Sequence, residues 1–298
     1  MIDVFAAFNI RTLSPSQLRL WAEDRGAWYA KHRAKIKEDA GPFAWRGEAI
    51  EAGLQFSLEQ RKGDPLARAM EVFDARADED ARGRDGEVHE KYDEAKKQII
   101  VALPRALKAW ADEGLPAPSV YQGKCEAMLP GCAAVPIFGK FDFSFGVSGS
   151  GFTLDLKTTK QLPSQPKDET KKPEADIDHA IQASCYALAR RESEARILYV
   201  SCADNPKISH RMITLRAAEI GFYTRAAAQI VKQIEATLWA AYCMTQCEAV
   251  SLEKALAELC RPNLLAQGGG TFPIWKSEFQ SAAVEAVPAW GLHQGARQ

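Results

Sequence analysis

Two carboxylates and an ammonium fall close together in GKFDFSFGVSGSGFTLDLKTTK, residues 139–160. Apolar and polar residues alternate on either side of a Gly/Ser turn, so the stretch reads as a β-hairpin. Before the turn Val135, Ile137, Phe141, Phe143, Phe145 and Val147 hold the odd positions, with Lys140, Asp142 and Ser144 between them. After it Phe152, Leu154 and Leu156 are apolar, while Thr153, Asp155 and Lys157 are polar. Strand side chains alternate between faces, so Asp142, Asp155 and Lys157 share the polar one. Any even-length loop centred between Ser148 and Gly149 sets Asp142 opposite Asp155. Directly opposed Cβ atoms lie roughly 4.5–5.5 Å apart, and like charges there destabilise a sheet. A divalent cation offsets that repulsion, since Mg2+ takes hard oxygen ligands and is satisfied by one or two carboxylates plus waters. Lys157 then stands beside the cation, within reach of a phosphate or a water. Taken alone, the pattern equally describes a solvated, salt-bridged face, the commoner fate of charged side chains.

A second row follows on a helix. His179, Gln182, Tyr186 and Arg190 are three, four and four residues apart and line one side of it. Ile181, Cys185 and Leu188 line the adjacent side and suit packing on a sheet. Gln and Tyr hydrogen-bond phosphates or bases, and Arg190 adds charge. An ordinary amphipathic helix with a half-buried Tyr has the same pattern.

These groups need a scaffold, and the rest of the sequence supplies one. Residues 14–35 read as a helix, with Ser14 as cap, Pro15 at the first helical position, and Leu18, Trp21, Arg25 and Trp28 on one stripe. Residues 45–60 form a second helix, with Ile50 and Leu54 facing one way and Glu48, Glu51 and Gln55 another. Residues 61–85 are charge-rich and read as an exposed helix or loop, and 87–113 as a helix that Pro104 kinks or breaks. Strands are expected over 118–128, 135–147, 151–158, 195–203 and 207–215. Helices are expected over 177–192 and from about 216 to 247, with a mobile loop over 161–176. The order gives an α+β fold (α/β in the broad sense) with a mixed central β-sheet flanked by helices.

The 298 residues suit one large domain, and 46% hydrophobic with 26% charged residues is an ordinary soluble composition. A net charge of −1 excludes a uniformly basic nucleic-acid coat but leaves room for a local basic groove beside an acidic site. No apolar run approaches the roughly 20 residues of a membrane span, and the N-terminus has no basic segment leading a long apolar core. Seven scattered cysteines fit reduced cytosolic thiols better than a disulfide framework. No Walker A loop, G-x-S-x-G frame or H-E-x-x-H pattern is present.

In joint order and spacing the motifs resemble the PD-(D/E)xK nuclease superfamily, in its RecB-like and phage lambda exonuclease-like branch. GKFD resembles the family's G-x-x-D strand, LDLK its (D/E)-x-K strand and QASCY its Q-x-x-x-Y helix; LSPSQLRLWAEDRGAWYAKH looks like its opening helix. RGEAIEAGL looks like its first motif, with Glu51 where RecB-like members have His; lambda-exonuclease-like members also use Glu. Phe141 stands where the family's name has Pro. The likeness spans roughly residues 12–216.

The resemblance implies a restriction-endonuclease-like core. It implies a single nuclease domain over residues 1–265, with a helical part over 1–113, a catalytic core over 114–250 and an irregular tail over 266–298. It implies Mg2+- or Mn2+-dependent phosphodiester hydrolysis by Glu51, Asp142, Asp155 and Lys157, with Glu51, Asp142, Asp155 and the Leu156 carbonyl as metal ligands. Gln182, Tyr186, Arg190 and Lys160 are the implied nucleic-acid contacts, helped by Lys167, Lys171 and Lys172. The implied partner is DNA, degraded from an end in phage or bacterial recombination or repair, in the cytoplasm, with a single-strand annealing or other recombination protein as a further partner and no membrane. Some relatives of RecB-like and CRISPR-associated type carry an iron–sulfur cluster on four cysteines. Here the opening helix has none and only Cys243, Cys247 and Cys260 remain late in the chain, so no cluster is expected. The rival readings are that iron–sulfur type and an inactive nucleic-acid-binding module of the same fold.

Overall fold

The computed structural model of the chain describes residues 2–36, 41–60, 62–83, 89–132, 134–166, 168, 172–247 and 250–260. Lys167, Lys171 and the expected tail over 266–298 lie outside them. In chain order the elements are α1 (Val4–Ala7), α2 (Pro15–Glu23), α3 (Arg25–His32), α4 (Pro42–Glu59), α5 (Pro65–Gly83), α6 (Tyr92–Asp112), β1 (Val120–Ala127), β2 (Ile137–Phe145), β3 (Phe152–Thr159), α7 (Ile177–Ala189), β4 (Glu194–Ser201), β5 (His210–Arg216), α8 (Ala217–Cys247) and α9 (Leu252–Leu259). The contacts group them into two compact units, residues 39–125 with 139–223, and residues 1–38 with 126–138 and 224–298.

In the second of these units Ser14 caps α2, its hydroxyl accepting from the Gln17 N–H at 3.2 Å, and Pro15 opens the helix as expected. The single helix expected over 14–35 is two helices. Asp24 is extended and buried, and its carboxylate accepts from the Ala27 N–H at 3.0 Å, so a short polar side chain ends one helix by capping the next. Trp21 and Trp28 still meet, edge to face at 4.9 Å. The sequence reading did not anticipate α1, too short to display a period, or α9, which Ser251 caps through the Lys254 N–H.

The first unit holds the candidate site. Its five-stranded sheet runs in chain order, β1-β2-β3-β4-β5. β2 and β3 are antiparallel, β3 and β4 parallel through the α7 crossover, and β4 and β5 antiparallel, so the sheet is mixed. Alternation sends Phe143, Phe145, Leu154, Leu156, Leu198 and Val200 to one core, where Ile50 and Leu54 of α4, Phe73 of α5 and Ile99, Leu103 and Trp110 of α6 meet them. Each such side chain stabilises by about 1.5–3 kcal/mol. Pro104 lies within α6 without breaking it, because packing of Leu103, Ala106 and Trp110 outweighs one missing hydrogen bond.

The other sheet face carries Ala195, Ile197, Tyr199, Ile213 and Leu215. The contacting face of α7 presents Ala180, Ala183 and Ala187, all fully buried. Small side chains let a helix backbone lie close to a sheet. That approach covers the polar face of the hairpin, which is therefore enclosed rather than solvated: Thr153 and Asp155 are each 2% exposed.

Candidate active site

The β2–β3 register is the one the sequence sets. Phe143 pairs with Leu154, Ser144 with Thr153 and Phe145 with Phe152, and one further step brings Asp142 opposite Asp155. The recorded ladder pairs stop short of that step. The Leu156 N–H donates at 2.7 Å to Asp142 Oδ2 instead, so a carboxylate takes the place of a strand carbonyl.

Asp155 is buried on the α7 side of β3, and its Oδ2 lies 2.7 Å from Lys157 Nζ. Among the described residues, no backbone or side-chain group besides that ammonium is bonded to the Asp155 oxygens. Lys157 Nζ donates to Gln182 Oε1 at 3.1 Å, and Gln182 Nε2 donates to the Tyr186 hydroxyl at 2.9 Å. Tyr186 is buried, and burial pushes its phenol above the usual range. Its ring fits because residue 139 is glycine: a Cβ there would stand 2.3 Å from Tyr186 Cε1. The G-x-x-D motif thus makes room for the Q-x-x-x-Y motif.

Glu51 comes from α4. Arg46, one turn earlier, donates from Nη2 to the Thr158 carbonyl at 3.1 Å and from Nη1 to Gln98, which ties α4 to the end of β3. Glu51 Oε2 accepts from Gln122 Nε2 at 3.1 Å, and Lys140 donates to the same amide's oxygen. Burial, then the Asp155 charge, push the Glu51 carboxyl from 4.5 to about 7, against the opposing pull of Lys157 and Gln122. Burial, Glu51 and Asp155 likewise hold Asp142 well above the carboxylate range. Burial opposes the charge on Lys157, yet Asp155, Asp142 and Glu51 keep its pKa above 10.5. The cluster is a pocket of mutually repelling carboxylates with one lysine among them.

As the side chains lie, no three His, Cys, Asp or Glu among the described residues are set around one metal position. Mg2+ does not require three: one or two carboxylates suffice when water and substrate phosphate fill the shell. Two aspartates on adjacent strands, one of them buried beside Lys157, satisfy that demand with hard oxygen donors.

The other expected contacts are engaged with the protein. Arg190 sits over the Phe141 ring and pairs at 2.7 Å with Glu192, whose side chain is fully buried. Lys160 is exposed and paired with Glu94, and Lys172 is exposed. Glu48 pairs with Arg76 at the surface. Of the late cysteines, Cys243 and Cys247 are exposed on α8, while burial pushes the Cys260 thiol to about 12. Sequence reasoning missed the roles of Gln122, which belongs to no motif, and of Arg46, which opens the RGEAIEAGL stretch; only the fold shows what they hold. No described helix is long and apolar enough to cross a membrane.

Among solved structures, the chain is similar to a protein from Eubacterium rectale provisionally described as an exonuclease, with 14% identity, a TM-score of 0.49, and 75% of this chain and 80% of that one covered. It is also similar to the protein SSO0001, at 12% identity and a TM-score of 0.29, with 72% and 85% covered. No curated protein matches the sequence. A sequence profile described as the PD-(D/E)XK nuclease superfamily matches residues 12–262, from before α2 to just past α9. A match over most of the chain shows that the chain belongs to the PD-(D/E)XK nuclease superfamily.

Proposed function

We propose that the protein is a divalent-metal-dependent DNA nuclease that degrades DNA from an end, in the RecB-like and lambda exonuclease-like branch of its superfamily. The observation that carries the catalytic reading is the enclosed cluster of Glu51, Asp142 and Asp155, whose charges oppose one another and in which the Lys157 ammonium is, among the described residues, the one group paired with the buried Asp155 oxygens. Asp142, Asp155 and the Leu156 carbonyl would hold Mg2+ or Mn2+, with Glu51 closing the third side directly or through a water. When bound, the cation supplies charge neutralisation at the phosphate and a more acidic water. Lys157 is held by Gln182 and Asp155 where it can orient the attacking water and neutralise charge growing on the phosphate oxygens. Water adds to phosphorus, the bond to the leaving oxygen breaks, and that oxygen takes up a proton.

Gln182 and Tyr186 support the branch assignment, since they lie along one side of α7 beside the lysine. They position the DNA strand by backbone or base-edge contacts. Lys160 and Arg190 would add phosphate contacts, with DNA phosphates competing with Glu94 and Glu192 for them. A cytoplasmic role in bacterial or phage recombination or repair, beside a strand-annealing partner, completes the reading.

End-labelled linear single- and double-stranded DNA, with a covalently closed circle as control, tests it. Linear DNA is shortened progressively with Mg2+, the circle is spared, and EDTA or Asp142→Ala abolishes the reaction. Equal activity of Asp142→Ala would refute the site, and cutting of the circle would refute action from ends.

A further inference from the structure

Resting on that nuclease reading, we infer that Gln122 is a positioning residue of the catalytic centre: it holds the Glu51 carboxylate, and Lys140 fixes the amide that does so. Three observations carry this. First, Gln122 has φ +48° within β1, a left-handed conformation that a long side chain without a local hydrogen bond rarely adopts. Such outliers persist where the surroundings over-determine them, and they gather at functional sites. Second, the neighbouring Gly123 fixes the path of β1, because a Cβ there would lie 2.2 Å from the ring of Phe141, the residue before Asp142. The chain is thus bent beside the aspartate strand, with Gln122 at the bend.

Third, both ends of the amide are used. An ammonium only donates, so Lys140 must face Oε1, which leaves Nε2 to donate to Glu51. A flipped amide would set its oxygen against a carboxylate and its N–H groups against a cation. Lys140 therefore selects the orientation in which Gln122 serves Glu51. Lys140 precedes Asp142 by two on β2, so the relay starts from the row that carries the aspartate. Glu51, arriving from a helix, is positioned by β1 and, through Lys140, by β2, the strand that carries Asp142.

The discriminating variant is Gln122→Gly, which tolerates the left-handed backbone and removes the side chain with its amide. The full-length variant is expected to melt at or above the parent's temperature without metal. Its Mn2+ affinity, read by titration calorimetry without DNA, is expected to fall about 10-fold or more, as for lost partners of metal ligands. Cleavage is expected to lose kcat while KM for DNA is unchanged, and Lys140→Met to give the same signature with a smaller loss. In a Glu51→Ala background, which has no acceptor for the amide, removing the amide is expected to change nothing further. Parent-like Mn2+ affinity and kcat in Gln122→Gly would overturn the inference, as would an equal added loss in the Glu51→Ala background. A parent that binds no Mn2+ overturns the nuclease reading and this inference together, so the two failures are distinguishable.

Discussion

Replacing Glu51 by Gln is expected to make the metal-free protein more stable and the enzyme nearly inactive. Burial, then the Asp155 charge, raise the Glu51 carboxyl from 4.5 to about 7. A folded-state pKa above the unfolded value stabilises fully below the unfolded value and is lost as pH rises through the folded one. Below pH 4.5 parent and variant therefore have similar stability, and they separate as pH climbs towards 7. At about 1.4 kcal/mol per pH unit, the separation is roughly 3 kcal/mol by pH 8. At about 2–4 °C per kcal/mol for a domain of this size, the variant melts some 6–12 °C higher in EDTA at pH 8. Gln retains the carbonyl that accepts from Gln122, so the gain reflects removal of charge. Adding Mg2+ is expected to raise the parent more than the variant, because a cation relieves the same repulsion. Thermal melts at pH 4.5, 6 and 8, with EDTA and with Mg2+, give the full comparison. A variant that melts with or below the parent at pH 8 would refute the electrostatic account of the site.

Other perturbations follow from the same geometry. Asp155→Asn removes a buried charge paired with Lys157, so Mn2+ binding by calorimetry and cleavage are both expected to be lost while the fold survives. Lys157→Met is expected to reduce kcat about 100- to 1,000-fold, and to destabilise the metal-free protein by about 3 kcal/mol by leaving Asp155 without its 2.7 Å partner; denaturant melts and single-turnover rates check the two effects separately. Gly139→Ala places a methyl 2.3 Å from the Tyr186 ring, with an expected destabilisation of about 1–3 kcal/mol and a loss of activity as Gln182 is pulled from Lys157. Arg190→Ala is expected to lower the melting temperature more than DNA affinity, because it strands the fully buried Glu192 side chain.

Much of this arrangement was legible before the structure. The five strands and the hairpin register follow from side-chain alternation, and the crossover helix from its own period. Helix ends were harder, since they depend on competition for backbone N–H groups: Asp24 captures that of Ala27 and divides one periodic stripe into two helices. Pro104 misled in the other direction, because tertiary burial rather than local propensity holds α6 together. The enclosure of the polar hairpin face was invisible in the strand pattern, which reads alike whether water or a helix covers it. Gln122 was invisible for another reason. Its task depends on a backbone angle and on partners 71 and 18 residues away, and neither leaves a local mark.

The closeness of α7 to the sheet has a consequence of its own. Ala180, Ala183 and Ala187 possess no reactive atom, yet their methyl groups set the standoff between the helix and the sheet. Thickening that layer by a few methylenes would lift Gln182 and Tyr186 away from the lysine while leaving every group that touches substrate intact. The protein can thus be silenced from its dry side, by residues whose whole contribution is to be small.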